Sequence, residues 1–147
     1  MNSQDKKKVV SRIWIDKAYE TLDEASILLK ENKPVGCVNR LYYAAFYIVS
    51  AALAYDGLAY GKHSAVRAAL HRDYIKSGKI HKQCGDIYDE LFEDRQEGDY
   101  APSTSFSVQD LAGMLERTTF LIHTITSFIK TEISKQPPLR SDTNAHV

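Results

Sequence analysis

The stretch PVGCVNRLYYAAFYIVSAALAY, residues 34–55, decides the fold. Proline is tolerated in the first turn of a helix, and after it apolar side chains recur every three or four residues, which is the spacing of a helix face. The apolar stripe is wide enough to pack against more than one neighbour. The alanines at positions 44, 45, 51, 52 and 54 would let those neighbours come close. We therefore predict a central helix around which the rest of the chain packs.

The same three- and four-residue spacing of apolar side chains continues over most of the chain. It predicts a helix from Ile13 to about Lys33, before the central one. After the central helix it predicts a short helix that begins near His63, another that runs into Arg95, and a long last helix that ends around Ser134. No alternating pattern typical of strands outlasts this helical spacing.

Long helices joined by short links are typical of an all-α, up-and-down bundle, here of about five helices. We place this bundle in residues 1–134, as one domain. Residues 135–147 are polar and contain Pro137-Pro138 near their start, so we expect a disordered tail without an assigned function.

Composition limits the classes of function. With 147 residues and 44% hydrophobic residues the chain can bury a core of its own. Lys plus Arg equals Asp plus Glu, 19 each, so only a local patch could attract nucleic acid or an anionic surface. Cys37 and Cys84 lie far apart and lack metal-ligand spacing, so we expect free thiols, no metal and no cofactor. Without a signal peptide or an apolar run near ~20 residues, we expect a cytoplasmic protein without membrane contact.

The sequence Asp94-Arg95-Gln96-Glu97-Gly98-Asp99-Tyr100 gathers charged and aromatic groups where the fourth helix should end, at its glycine. We therefore take this stretch as the first candidate site. Arg95 and Asp99 are four apart and would meet if the helix persists to Gly98. That pair is either an ordinary salt bridge that fixes the helix end or part of a ligand site, and both interpretations stay open.

Two other groups of residues are candidates for the walls of a binding cleft. Arg40, Tyr43 and Tyr47 share a face of the central helix, where Arg40 either lies over a tyrosine ring as a structural contact or lines a groove. Lys62 and His63 stand at a helix start, where an anion would find free N–H groups and a cation.

Four pieces of the chain, in this order, carry a resemblance to a known family: Asn39-Arg40-Leu41-Tyr42-Tyr43-Ala44-Ala45-Phe46, Lys62-His63-Ser64-Ala65-Val66, Tyr74-Ile75-Lys76-Ser77-Gly78-Lys79-Ile80 and Arg95-Gln96-Glu97-Gly98-Asp99-Tyr100. Together they resemble the HEPN family, named for a nucleotide-binding domain of higher eukaryotes and prokaryotes, and in particular its small stand-alone subfamily. The resemblance covers roughly residues 10 to 134. It implies a bundle that dimerises through its long helices, with a polar cleft at or beside the dimer axis.

The resemblance also implies two alternative activities. Many HEPN proteins are metal-independent ribonucleases that carry an arginine followed, after four to six residues, by a histidine. Others are non-catalytic modules that pair with a minimal nucleotidyltransferase, often as toxin–antitoxin systems. A ribonuclease needs the histidine to move a proton near neutral pH and the arginine to hold the phosphate.

This chain departs from the ribonuclease motif, because Tyr100 follows Arg95 after a four-residue gap and Asp99 precedes it. With ordinary pKa values near ~10 and ~4, tyrosine is a poor general base and aspartate a poor general acid. A second match, Arg117 with His123, has five residues between its members, which puts them about 120° apart around a continuous helix. We therefore expect these two side chains to diverge, unless a dimer brings His123 to another chain's arginine.

These observations favour a homodimeric module that binds nucleotide, RNA or a nucleotidyltransferase partner. A ribonuclease toxin that uses Arg95 with Asp99 and Tyr100 is the alternative. A purely structural dimeric scaffold is the third interpretation.

Overall fold

The computed structural model describes residues 2–100 and 106–135, and for residues 96–100 it describes the backbone alone. Five α-helices make up the fold: α1 (Ser3–Lys30), α2 (Pro34–Tyr55), α3 (His63–Ala69), α4 (Lys82–Tyr100) and α5 (Val108–Lys135). A π-helical turn, Leu70–Ile75, continues α3. The part of the chain that the structure describes contains no strand. The predicted all-α bundle is confirmed, and the predicted tail lies outside the described residues.

Helix α2 is the centre of the bundle, as its sequence predicts. It packs against α1 along most of its length and also against α4 and α5, and 13 of its 22 residues are buried. The five alanines are all buried, which allows this close approach. Burial of a single side chain such as Leu41 or Ile48 contributes about 1.5–3 kcal/mol to folding.

By length and composition α2 could cross a membrane, so the expectation that no apolar run approaches that length is wrong. Arg40 is the single charged residue in its 22 positions. Most of the apolar stretch is buried against the other helices, as in the core helix of a soluble protein.

Helix α1 begins well before the predicted start at Ile13. Its cap is Asn2, whose side-chain oxygen accepts a hydrogen bond from the backbone N–H of Asp5 at 2.8 Å. Ile13 is 59% exposed, although its spacing suggested the apolar face. Ser11 is buried instead, and its hydroxyl donates to the carbonyl of Ala51 at 2.8 Å.

The connection after α2 and the π-helical turn are joined by one buried tyrosine. The Tyr74 hydroxyl donates to the carbonyl of Ala52 at 3.2 Å and to the carboxylate of Asp56. Burial, followed by this carboxylate, raises the pKa of Tyr74. The turn is thereby fixed to the carboxyl end of α2, and it also packs against α4.

Helices α4 and α5 also differ in detail from the prediction. The backbone of α4 continues through Gly98 to Tyr100, so the helix does not end at the glycine. Helix α5 begins with a reciprocal cap, in which Ser107 Oγ accepts from the N–H of Asp110 at 3.0 Å. It ends at Lys135, next to the predicted end.

Candidate functional site

Arg95 lies where α4 packs against α2, over two neighbouring tyrosine rings. Its guanidinium carbon is 5.1 Å from the ring centre of Tyr42 and 5.4 Å from that of Tyr43. Its Nη2 also donates to the Tyr43 hydroxyl at 3.4 Å. Tyr42 is fully buried, whereas Tyr43 and Arg95 are half-buried. The negative faces of the rings therefore stabilise a charge that remains within reach of a ligand.

His63 joins the same cluster from α3. Its Nδ1 is 2.9 Å from the Tyr42 hydroxyl, and its ring centre is 4.4 Å from that of Phe46. Burial, followed by the positive charge of Arg95, lowers the pKa of His63 below its ordinary value. Near neutral pH this imidazole is therefore uncharged, and its Nε2 is the nitrogen left to exchange a proton with a bound molecule.

Arg40 and Tyr47 extend the cluster along α2. The guanidinium carbon of Arg40 lies 5.3 Å from the ring centre of Tyr43, and its Nη1 is 3.4 Å from a carboxylate oxygen of Glu24. This is the cation–π contact of one of the two interpretations, and a role of Arg40 in lining a groove stays a prediction. Tyr47 is stacked on Trp14, with ring centres 5.5 Å apart. The side chains of α2 thus form a continuous aromatic row that lies beside Arg95.

Lys62, the cap residue of α3, is exposed and takes no part in these ring contacts. The side chains of Asp99 and Tyr100 lie outside the described residues, although their backbone belongs to α4. The salt bridge between Arg95 and Asp99 therefore stays a prediction, as does any role of Tyr100.

Arg117 and His123 point to different neighbours. Both guanidinium nitrogens Nε and Nη2 of Arg117 donate to the carboxylate of Glu90, at 3.0 and 2.8 Å. His123 Nδ1 is 2.7 Å from the hydroxyl of Tyr19. Within one chain the two side chains diverge, toward α4 and α1 respectively, as the helical spacing predicts.

One cluster beside the site was not predicted. The carboxylate oxygen Oδ1 of Asp89 accepts from Arg67 Nε at 2.8 Å and is 2.9 Å from His71 Nε2. Gly85 makes room for the His71 ring, since a Cβ at position 85 would be 2.8 Å from His71 Cε1. The i, i+4 spacing of Arg67 and His71 was visible in the sequence, but their common partner on α4 was not.

Arg67 also connects this cluster to the first one. Its guanidinium carbon lies 4.5 Å from the ring centre of Phe92, and Phe92 is in edge contact with Tyr42 at 6.0 Å. One turn of α3 separates Arg67 from His63. Contacts between side chains of α2, α3 and α4 thereby connect six residues, and we use the name Arg95 cleft for this group of residues: Arg40, Tyr43, Tyr47, His63, Arg67 and Arg95.

Two further observations concern the metal-ligand residue types and the cysteines among the described residues. Among the described residues, no group of three or more His, Cys, Asp or Glu could hold a metal ion. Cys37 and Cys84 are free and buried, and burial raises the pKa of the Cys84 thiol to about 11. Both are therefore uncharged thiols near neutral pH.

Comparison with known proteins agrees with the all-α fold. Residues 11–130 match the model of the HEPN domain. A UPF0332 protein of Thermotoga maritima is 37% identical over 126 residues, which cover 86% of this chain and 95% of that protein. A Methanocaldococcus jannaschii protein named "Putative toxin MJ0142" is 25% identical over 103 residues, 70% of each chain. The chain therefore belongs to the HEPN domain family, and its similarity to the Thermotoga protein supports a small prokaryotic subfamily within it.

Proposed function

We propose that the protein is a HEPN module that binds RNA or a nucleotide in the Arg95 cleft. It acts in the cytoplasm as a homodimer, as one component of a toxin–antitoxin pair with a minimal nucleotidyltransferase partner. The observation that supports binding best is the half-buried guanidinium of Arg95 over the rings of Tyr42 and Tyr43.

This arrangement offers two complementary contacts to a nucleotide. A guanidinium forms paired hydrogen bonds with phosphate oxygens, and half-buried aromatic rings such as those of Tyr43 and Tyr47 are groups on which a base stacks. Arg40 and Arg67 are two further guanidinium groups of this cleft, and each is also paired with a carboxylate, that of Glu24 and that of Asp89 respectively. The net charge of the chain is zero, so attraction to nucleic acid has to come from this local cluster.

Features outside the cleft support the rest of the proposal. The long helices α1 and α5 carry large exposed apolar side chains, among them Ile13 at 59% and Phe120 at 42%, which a second copy could cover. The Methanocaldococcus relative has a name that refers to a toxin, which supports a toxin–antitoxin context. Sedimentation of the purified protein tests the dimer, and co-purification with the neighbouring gene product tests the partner.

Binding is tested with a fluorescent single-stranded RNA oligonucleotide and, separately, with ATP. We expect Arg95→Gln to weaken binding about 10- to 100-fold, because it removes charge-assisted hydrogen bonds of about 1.5–3 kcal/mol. Arg12→Gln is the matched control, since Arg12 is 76% exposed on α1 and pairs with Asp16. Equal affinities of the two variants, or no binding by the wild type, would contradict the proposal. An effect of Arg95→Gln on stability alone would favour the scaffold.

A specific observation also favours a second function, a metal-independent ribonuclease. The family motif lacks its histidine after Arg95, but His63 lies against the same two rings that Arg95 covers, 5.6 Å from the centre of each. An uncharged His63 could take the proton of a ribose 2′-hydroxyl as its oxygen attacks the adjacent phosphorus. Arg95 would stabilise the negative charge on the phosphate while the bond between phosphorus and the 5′-oxygen breaks, and this oxygen would leave with a proton taken from water.

The ribonuclease is tested by RNA cleavage in EDTA. We expect products with a cyclic phosphate end, and loss of cleavage in both His63→Ala and Arg95→Ala. His81→Ala is the control, because His81 is exposed and its Nδ1 accepts a hydrogen bond from the backbone N–H of Gln83 at 3.0 Å. Cleavage that survives His63→Ala but not Tyr100→Phe would return the role to the Arg95, Asp99 and Tyr100 stretch.

A further inference from the structure

A separate apolar groove lies between the first half of α1, α2 and the connection to α3. Its volume is about 300 Å³, at the lower end of the range for small-molecule sites. The walls are mainly apolar and aromatic: Val10, Trp14, Phe46, Leu53, Leu58 and Tyr60. Apolar surface left open to water in a concave site is available to an apolar ligand.

The shape of the groove depends on how α2 ends. Gly57 adopts φ +79°, and the backbone N–H of Leu58 then donates to the carbonyl of Leu53 at 2.8 Å. This is the pattern of a Schellman cap, which needs the left-handed conformation that glycine adopts easily. The cap turns Leu58 back over the end of α2, where it closes one side of the groove.

Two cations stand at one end of the groove, and no acidic side chain lines it among the described residues. Lys6 and Lys7 belong to the first turns of α1. The stem of Lys7 lies across the glycine of the cap, since a Cβ on Gly57 would be 2.9 Å from Lys7 Cε. Lys7 is thereby placed at the mouth of the groove, with Val10 and Trp14 following on the same side of the helix.

We propose that this groove binds a small amphipathic anion. Its anionic group lies at Lys6 and Lys7, and its apolar body extends along Val10 to Trp14. Between Lys7 and Trp14 the helix rises about 10 Å, which suits a body of medium length. The simplest such molecule is a medium-chain carboxylate. The groove is lined by 13 residues, fewer than the roughly 20–30 residues that each partner contributes to a stable protein interface.

Trp14 makes the proposal measurable, because it is the single tryptophan of the chain. The full-length protein is titrated with octanoate and with octylamine, which share the apolar chain and differ in charge, and tryptophan fluorescence and calorimetry are recorded. We expect saturable binding of octanoate. Its affinity should be about threefold to tenfold higher than that of octylamine, because octanoate can form partly exposed ion pairs with Lys6 and Lys7.

Charge reversal supplies the decisive comparison. Lys7→Glu should lower the affinity for octanoate by at least the same factor and should raise the affinity for octylamine. Lys8→Glu carries the same change in charge one residue away, outside the groove lining, and should bind octanoate as the wild type does. Leu58→Glu, which places an acid in the groove wall itself, should also abolish octanoate binding. Far-ultraviolet circular dichroism confirms that each variant is folded.

Three results would overturn the proposal. The first is equal binding of octanoate and octylamine, which would show general hydrophobic adsorption. The second is an equal effect of Lys7→Glu and Lys8→Glu. The third is binding that disappears as protein concentration rises, which would show that a second copy of the chain covers the groove.

Discussion

Replacing Gly85 with alanine should destabilise the protein, although alanine is the better helix former. A Cβ at this position of α4 would lie 2.8 Å from Cε1 of His71 and 3.3 Å from Cγ1 of Ile75. The imidazole cannot simply turn away, because its Nε2 is held 2.9 Å from Asp89. Overpacking of this kind costs about 1–3 kcal/mol, and glycine-to-alanine in a helix returns about 0.5–1 kcal/mol. We expect a net loss of about 0.5–2 kcal/mol in the free energy of unfolding.

The effect of Gly85→Ala on the free energy of unfolding should change sign when the side chain of His71 is removed. In a His71→Ala background, Gly85→Ala should stabilise the protein by up to about 1 kcal/mol, since only the contact with Ile75 remains. Urea unfolding of the four proteins, followed by circular dichroism, measures both steps of this cycle. Gly113→Ala is the control within a helix, because its Cβ would come no closer than 3.1 Å to another atom, Nη1 of Arg117. If Gly85→Ala stabilised both backgrounds equally, the fixed position of His71 would be refuted.

Three further predictions concern charge and capping. Because the pKa of His63 is lowered in the folded state, stability from this group is complete above the unfolded value of about 6.5 and falls as pH drops below it. NMR titration should show this low midpoint, and Arg95→Gln should raise it. Ser107→Ala should cost about 1 kcal/mol in thermal or urea unfolding, since it removes the cap of α5. A double-mutant cycle on Arg117 and Glu90 should give a coupling of only about 0.5–1 kcal/mol, because the side chains are 41% and 39% exposed.

The elements that could be predicted from sequence are those that depend on local spacing. The stripe of residues 34–55 depends only on helix geometry, and so does the divergence of Arg117 from His123. Ile13 shows where spacing fails, since which side of α1 is buried depends on the packing against α2. Ser11 can be buried on the side of α1 that faces α2 because its hydroxyl donates a hydrogen bond to the carbonyl of Ala51.

The cleft could be predicted only in part, for a related reason. Resemblance to the family pointed to Arg40, Tyr43, His63 and Arg95, and the structure brings these four residues together. Spacing along one helix could not reveal Asp89, because a side chain on α4 meets α3 only after both have packed on α2. Long-range pairs of this kind depend on how helices are placed, which periodicity does not specify.

The position of His63 also changes how the missing histidine of the motif bears on function. A proton carrier and a phosphate-binding cation have to meet in space, and they need not be neighbours in sequence. Here α3 brings His63 to the rings that Arg95 covers, so Tyr100 in place of histidine does not remove imidazole chemistry from the cleft. When the hydroxyl of the buried Tyr42 donates a hydrogen bond to Nδ1 of His63, the imidazole carries its proton on Nε2. For Nε2 to take a proton from RNA, the imidazole must instead carry its proton on Nδ1, where the Tyr42 hydroxyl accepts a hydrogen bond from it. Tyr42→Phe removes this acceptor and keeps the ring, so it should leave RNA binding intact and slow cleavage.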